Sequence, residues 1–213
     1  MDSTSNEVAV SNKKIEDAMA LFPIQEFDFE RDERVAMNAC SFAIIGSSKS
    51  GKTTFLKYLL KKRFEDEILT FMTMSPNAEI YNSIKKNCAF SPAYIPDMIR
   101  TQYLINKHTK NHYPFTVVID DCIGVKHCKQ ITKLLCLYRN SRISGIICAQ
   151  DLTLLSPTGR ANVNNLCLFW QNTANRVEDN VKNFLRGYFP KNLNLEEKME
   201  LYKKLTAEHC FCG

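Results

Sequence analysis

The 213-residue sequence predicts an α/β protein, a three-layer αβα arrangement with helices on both faces of a mainly parallel central sheet. Two observations predict it. Short strands that are apolar throughout, such as residues 115–119 and Ile143–Ala149, alternate with segments of helical periodicity, and such strands must be covered on both faces. In addition, one strand runs directly into a loop of Gly, Ser, Lys and Thr that opens a helix.

The elements follow in order. Residues 1–20 are polar without a sustained pattern and read as a mobile tail. Ile24, Phe27 and Phe29 suggest an edge strand or a segment that docks on the core, so residues 1–34 form an acidic tail and docking segment ahead of a domain over 35–213. Ser41–Ile45 suits a buried parallel strand, and Phe55, Leu56, Leu59 and Leu60 recur at helical spacing as far as the helix-ending cations Lys61, Lys62 and Arg63. Ile68–Met72 reads as a strand. Ser75 and Pro76 signal a helix start, with Ile80 and Ile84 as its stripe. Pro92 and Pro96 bracket a connection into a helix over 97–107. Strand 115–119 ends in Asp120 and Asp121. The next helix carries Ile131, Leu134, Leu135 and Tyr138 on one side, and Ile143–Ala149 follows as a strand. After a loop containing Pro157 and Gly159 come an apolar run at 166–170 and helices near 176–185 and Leu195–Leu205.

Apolar residues make up 45% of the chain and charged residues 24%, as in soluble globular proteins. No apolar stretch approaches the ~20 residues of a membrane span, and no secretory h-region opens the chain. Nine cysteines, an odd count without a framework pattern, indicate a reducing compartment; Cys40, Cys122, Cys136, Cys148 and Cys167 lie in or beside apolar runs and read as small hydrophobes. The net charge of +5 is uneven: residues 1–34 carry −5 and residues 35–213 carry +10. No acid lies between Asp121 and Asp151, a stretch holding Lys126, Lys129, Lys133, Arg139 and Arg142. That balance favours a polyanionic partner, although solvated lysines on helix faces give the same count in many enzymes.

The loop Gly46-Ser47-Ser48-Lys49-Ser50-Gly51-Lys52-Thr53-Thr54 fits the phosphate-loop pattern G-x-x-x-x-G-K-[ST], with the required strand before it and amphipathic helix after it. Glycine lets the backbone wrap the β-phosphate so that successive N–H groups point inward. In this pattern Lys52 reaches the β- and γ-phosphates, the Thr53 hydroxyl coordinates Mg²⁺, and the phosphates sit at a helix N-terminus. Asp120 and Asp121 lie 68 and 69 residues after Lys52, far enough for one additional strand–helix unit to intervene. The first acid can hold Mg²⁺ and the second can orient or deprotonate the attacking water; an Asp pair here can also simply cap the next helix. Gln150 ends strand Ile143–Ala149. If that strand neighbours both the phosphate-loop strand and the Asp120 strand, its amide faces the γ-phosphate as a sensor; a surface Gln at a strand end is the plainer alternative.

These motifs, with Tyr138-Arg139-Asn-Ser-Arg-Ile-Ser144 followed by Gln150, resemble the genome-packaging ATPases of poxviruses, other nucleocytoplasmic large DNA viruses, virophages and Polinton elements, which are similar to the FtsK–HerA group of ring-forming DNA pumps. The resemblance spans roughly residues 40–185. It implies a P-loop ATPase with an extra strand between the phosphate-loop and Asp120 strands, ATP and Mg²⁺ as ligands, and a homo-oligomeric ring of five or six subunits. It further implies double-stranded DNA as the load, capsid or portal-vertex proteins as partners, and the virion or viral factory in the host cytoplasm as the location. Members tend to carry an Arg four residues before an Ile-Ser pair, here Arg139, and an Arg-x-Asn after the sensor strand, here Arg160-Ala-Asn162; Arg139, Arg160 and Arg142, in that order, are candidates for an arginine that closes a neighbour's site. The alternative for Arg139 is that it caps its own helix. Two departures stand out: members often have a small residue where this loop has Lys49, and they usually end on a further apolar strand, whereas this chain stops at Cys210-Phe-Cys-Gly213.

His209, Cys210 and Cys212 lack the second ligand pair that structural zinc needs. Trp170 and the phenylalanines follow core spacing. The guanine-specifying Asn-Lys-x-Asp is absent. The residues leave open a nucleoside or nucleotide kinase, with Asp121 activating a substrate hydroxyl, and a nucleotide-gated DNA-binding scaffold without turnover.

Overall fold

The computed structural model describes residues 3–20, 39–65, 67–73, 87–89, 92–110, 113–120, 128–183, 185, 189–207 and 211–212. In chain order the elements are α1 (Ser3–Ala20), β1 (Ser41–Ile45), α2 (Lys52–Arg63), β2 (Ile68–Met72), β3 (Asn87–Ala89), α3 (Ile95–Thr109), β4 (Phe115–Asp120), α4 (Lys129–Ser141), β5 (Ile143–Ala149), α5 (Pro157–Ala161), β6 (Asn165–Phe169), α6 (Ala174–Asn183), α7 (Leu195–Leu205) and β7 (Phe211–Cys212). Single 3₁₀ turns lead into α3 (Pro92–Tyr94) and follow β5 (Leu152–Leu154).

Two compact units result, Asp28–Leu168 and Met1–Phe27 with Phe169–Cys212. In the first, the strands lie in the order β3-β2-β4-β5-β1-β6, each paired parallel to its neighbour. β1 and β4 therefore do not touch; β5 separates them, as the family resemblance implies and as the reading of Gln150 requires. Strand β1 is buried along its whole length, and β4 from Thr116 onward, which is why these segments are apolar on both faces. Leu56, Leu59 and Leu60 bury one side of α2, and Phe64, just past its end, meets Phe42 of β1 edge-on at 6.3 Å. The C-terminal end of the phosphate-loop helix is thereby tied to the strand that precedes the loop. α4 buries Ile131, Leu134, Leu135 and Tyr138, the stripe read from the sequence.

The second unit corrects the expected tail. Residues 3–20 form a helix whose Ile15 and Ala18, three apart, are buried. Ser11 and Lys14 each donate to Glu197 Oε1 of α7 at 3.4 Å, while Asn194 and Glu197 form a capping box at the start of α7. Tyr202 donates to the Phe169 carbonyl at 2.7 Å. The docking segment at 21–34 and the boundary at 34/35 lie outside the described residues, as does the helix expected after Pro76.

Five further features differ from the sequence expectation. A helix, α5, replaces the expected loop around Pro157: Ser156 accepts from the Gly159 amide, and Pro157 occupies the first turn. β3 was not read at all. Cys136 is exposed while Cys40, Cys128, Cys148 and Cys167 are buried, because Cys136 sits on the solvent side of α4. Trp170, expected in the core, is 44% exposed, since strand β6 stops at Phe169 before reaching it. Phe211–Cys212 forms the strand β7, so the chain does carry a further short strand.

Candidate functional site

The loop begins where β1 ends. The Gly46 amide donates to the Ala149 carbonyl at 3.1 Å, extending the β1–β5 ladder one step and tying the loop's first residue to the end of β5. Inside the loop the Ser50 amide donates to Ser47 O at 3.3 Å, and the Lys52 ammonium folds back onto the same carbonyl at 2.7 Å. Gly51 has φ 97°, a left-handed conformation that glycine adopts without steric cost. From there α2 starts with no side-chain cap, its first helical bond running from Phe55 N to Gly51 O at 3.0 Å. The leading N–H groups thus have no intrahelical acceptor, and the helix dipole adds positive potential. Ser47 and Ser50 are buried, Gly51, Lys52 and Thr53 partly buried, and Ser48, Lys49 and Thr54 exposed. Ser50 Oγ is a buried hydroxyl without a hydrogen-bond partner among the described residues.

Asp120, the last residue of β4, is 4% exposed and lies in register with Cys148 of β5. The Cys148 thiol reports what surrounds it. Burial pushes its pKa well up, the negative charge of Asp120 pushes it further, and the positive charge of Lys52 draws it back. The charges of Asp120, at the end of β4, and Lys52, at the start of α2, thus both act on the buried Cys148 thiol of β5. Gln150, partly buried, follows directly on Ala149, whose carbonyl holds Gly46. Three neighbouring parallel strands bring the phosphate loop, Asp120 and Gln150 to the same C-terminal rim of the sheet, the rim where α/β proteins of this kind bind ligands. Asp121 lies outside the described residues.

The arginines stand elsewhere. Arg139 is exposed in the last turn of α4, its Nε donating to Tyr138 Oη at 2.7 Å and its guanidinium 5.4 Å from the tyrosine ring centre. Tyr138 Oη bonds Asn164 Oδ1, which also accepts from Ser41 Oγ at 3.1 Å. Ser41 opens β1, so Arg139 is tethered to the opposite end of the sheet from the phosphate loop, a strand length of roughly 17 Å away. Arg142, exposed with φ 50°, ends α4. Arg160 is partly buried in α5, with Nε donating to Leu155 O at 3.1 Å. None of the three shares the rim with Lys52 through the contacts described. The Ser41–Asn164–Tyr138 relay went unread in the sequence; its only signals are a serine opening an apolar strand and an asparagine pair before β6.

No curated protein matches the chain. Its fold is similar to that of the DNA-packaging ATPase B204 from Sulfolobus turreted icosahedral virus, with a TM-score of 0.52 and 17% identity over 70% of this chain and 84% of that one. The genome-packaging NTPase B204 of Sulfolobus turreted icosahedral virus 2, in complex with ATP-gammaS, gives 0.50 and 17% over 76% and 86%. The cytoplasmic domain of EssC gives 0.50 and 13% over 78% of this chain and 45% of that one. At these identities the likeness establishes the P-loop NTPase fold. The poxvirus A32 protein family matches residues 26–206, a span that holds the phosphate loop, Asp120, Gln150 and all three arginines. The chain belongs to the poxvirus A32 protein family.

Proposed function

We propose that this chain is an ATP-hydrolysing motor that translocates double-stranded DNA and packages a viral genome into a capsid during virion assembly in the host cell. The observation that carries the reading is the position of β5 between β1 and β4, which sets Gln150 between the phosphate loop and Asp120. Membership of the A32 family and a fold like that of packaging ATPases support it.

The residues fit a magnesium nucleotide. An uncapped helix N-terminus behind Gly51 and an orphaned hydroxyl at Ser50 suit an anion, while the Thr53 hydroxyl and the Asp120 carboxylate are the hard oxygen donors that Mg²⁺ prefers. Bound there, the ion would neutralise charge on the β- and γ-oxygens. Lys52 exchanges its bond to Ser47 O for the phosphate bridge. Asp121 takes the proton of the attacking water, and Gln150 holds that water and reports the loss of the γ-phosphate. A homo-oligomeric ring lets a neighbour's arginine close the site, with Arg139 first and Arg160 second.

Phosphate release with and without duplex DNA tests the reading. DNA-stimulated release is expected; ADP formation that depends on an added nucleoside would instead make the chain a kinase, and tight ATP binding without release a scaffold. Binding to the duplex should ignore sequence and weaken with salt. Lys129 and Lys133, exposed four apart on α4, should each account for one phosphate contact, so neutralising both lowers the slope of log K against log salt by about two. An unchanged slope would remove α4 from the DNA surface.

A further inference from the structure

We infer that Lys49 is a second phosphate-contacting cation, supplied by this chain to its own nucleotide, that stabilises the γ-phosphoryl group as it is hydrolysed. The inference rests on the nucleotide-hydrolysing reading above.

Three non-glycine residues have a positive φ among the described residues: Lys49 at 62°, Lys110 at 55° and Arg142 at 50°. The last two have a structural reason. Each is the residue on which a helix stops, Lys110 for α3 and Arg142 for α4, and a left-handed residue is a common way to end a helix. Lys49 ends no helix. It stands at the apex of the phosphate loop, held in that conformation by the turn from Ser50 N to Ser47 O and by Gly51 beyond it. Glycine would adopt this backbone freely, whereas a residue with a Cβ is disfavoured there. A strained backbone that persists inside a ligand loop is a pointer to function.

The side chain is placed to supply one. Lys49 is exposed, and no hydrogen bond or ion pair engages it among the described residues. Lys52, three residues on, is anchored to the loop through Ser47 O. Besides Lys52, Lys49 is the one cation that the loop sequence itself contains. As water forms its bond to the γ-phosphorus and the bond to the β–γ bridging oxygen breaks, ADP is the leaving group and charge spreads over the γ-oxygens. A cation beside those oxygens accelerates the step whether it comes from the same chain or another. A lysine on a flexible four-carbon stem can follow that charge, and Lys49 moves no proton in doing so. Lys49 would thus support turnover by a subunit whose neighbour has not yet closed the site.

The test uses the full chain and three readouts: DNA-free phosphate release, ATPγS affinity, and affinity for ADP with aluminium fluoride, which imitates the hydrolytic transition state. Lys49→Gly suits the local backbone and should fold, which a thermal melt checks. It should slow release about 10²-fold and weaken the aluminium fluoride complex about as much, while ATPγS affinity stays within about threefold. Lys49→Arg should restore most of the loss. Unchanged release and unchanged aluminium fluoride affinity would overturn the inference and leave the proposed function intact. An equal loss of ATPγS and aluminium fluoride affinity would also overturn it, showing ground-state binding only. A wild-type chain that neither hydrolyses ATP nor binds ATPγS would bring down the proposed function, and this inference with it.

Discussion

Lys52→Ala should abolish ATP hydrolysis, with a loss of at least about 10³-fold, and weaken Mg·ATP binding in the same variant. The expected size follows from the loop. Lys52 is the first residue of α2, and its ammonium already lies 2.7 Å from Ser47 O, folded over the loop whose backbone would cradle the β-phosphate. Its loss leaves the β/γ bridge without its cation, and Lys49, exposed at the apex, is expected to act on the γ-phosphoryl group and not on the bridge. The fold should tolerate the change, because α2 is anchored by Leu56, Leu59, Leu60 and the Phe42–Phe64 contact, none of which involves Lys52. Phosphate release together with titration of a fluorescent ATP analogue checks both halves. If Lys52→Ala kept wild-type turnover while Lys49→Ala lost it, the roles given to the two lysines would be wrong.

Arg139→Ala should lower DNA-stimulated hydrolysis by about 10³-fold if its guanidinium completes a neighbour's site. Action in cis does not fit the tether: Arg139 is held through Tyr138 and Asn164 to the start of β1, the opposite end of the sheet from its own phosphate loop. Mixing decides the point. Lys52→Ala subunits keep the arginine and Arg139→Ala subunits keep the phosphate loop, so mixed rings should recover part of an activity that neither variant shows alone. Tyr138→Phe keeps the ring under the guanidinium but removes the hydroxyl that accepts from Nε, and should give an intermediate rate. No recovery in rings of confirmed mixed composition would return Arg139 to capping α4.

The contrast between the lysines and Arg139 shows what a sequence can carry. Strands β1, β2, β4 and β5 were legible because burial on both faces makes them apolar almost throughout, and α4 because its stripe is long enough to repeat. The interval from Lys52 to Asp120 left room for the β2 unit, whereas the position of β5 between β1 and β4 came from the family resemblance. α1 was not legible: among its described side chains Ile15 and Ala18 alone are buried, too short a stripe to read as a period. α5 has five residues and β3 three, too few for any period. Trp170 misled because an apolar run does not say where pairing stops. The end of the sheet to which Arg139 belongs follows only once the strands are known to be parallel, for α4 must then run against them. The conformation of Lys49 was beyond reach, because composition does not reveal a backbone angle.

Movement along DNA is the central claim, and displacement of a third strand measures it most directly. A short oligonucleotide bound as a triplex at one end of a linear duplex is released when a motor runs into it. With ATP and Mg²⁺ the wild-type chain should strip the oligonucleotide at a rate that falls with its distance from the entry site, and ATPγS or Lys52→Ala should leave it bound. Brisk DNA-stimulated hydrolysis with the oligonucleotide still in place would contradict the account, leaving an ATPase that binds DNA without moving along it.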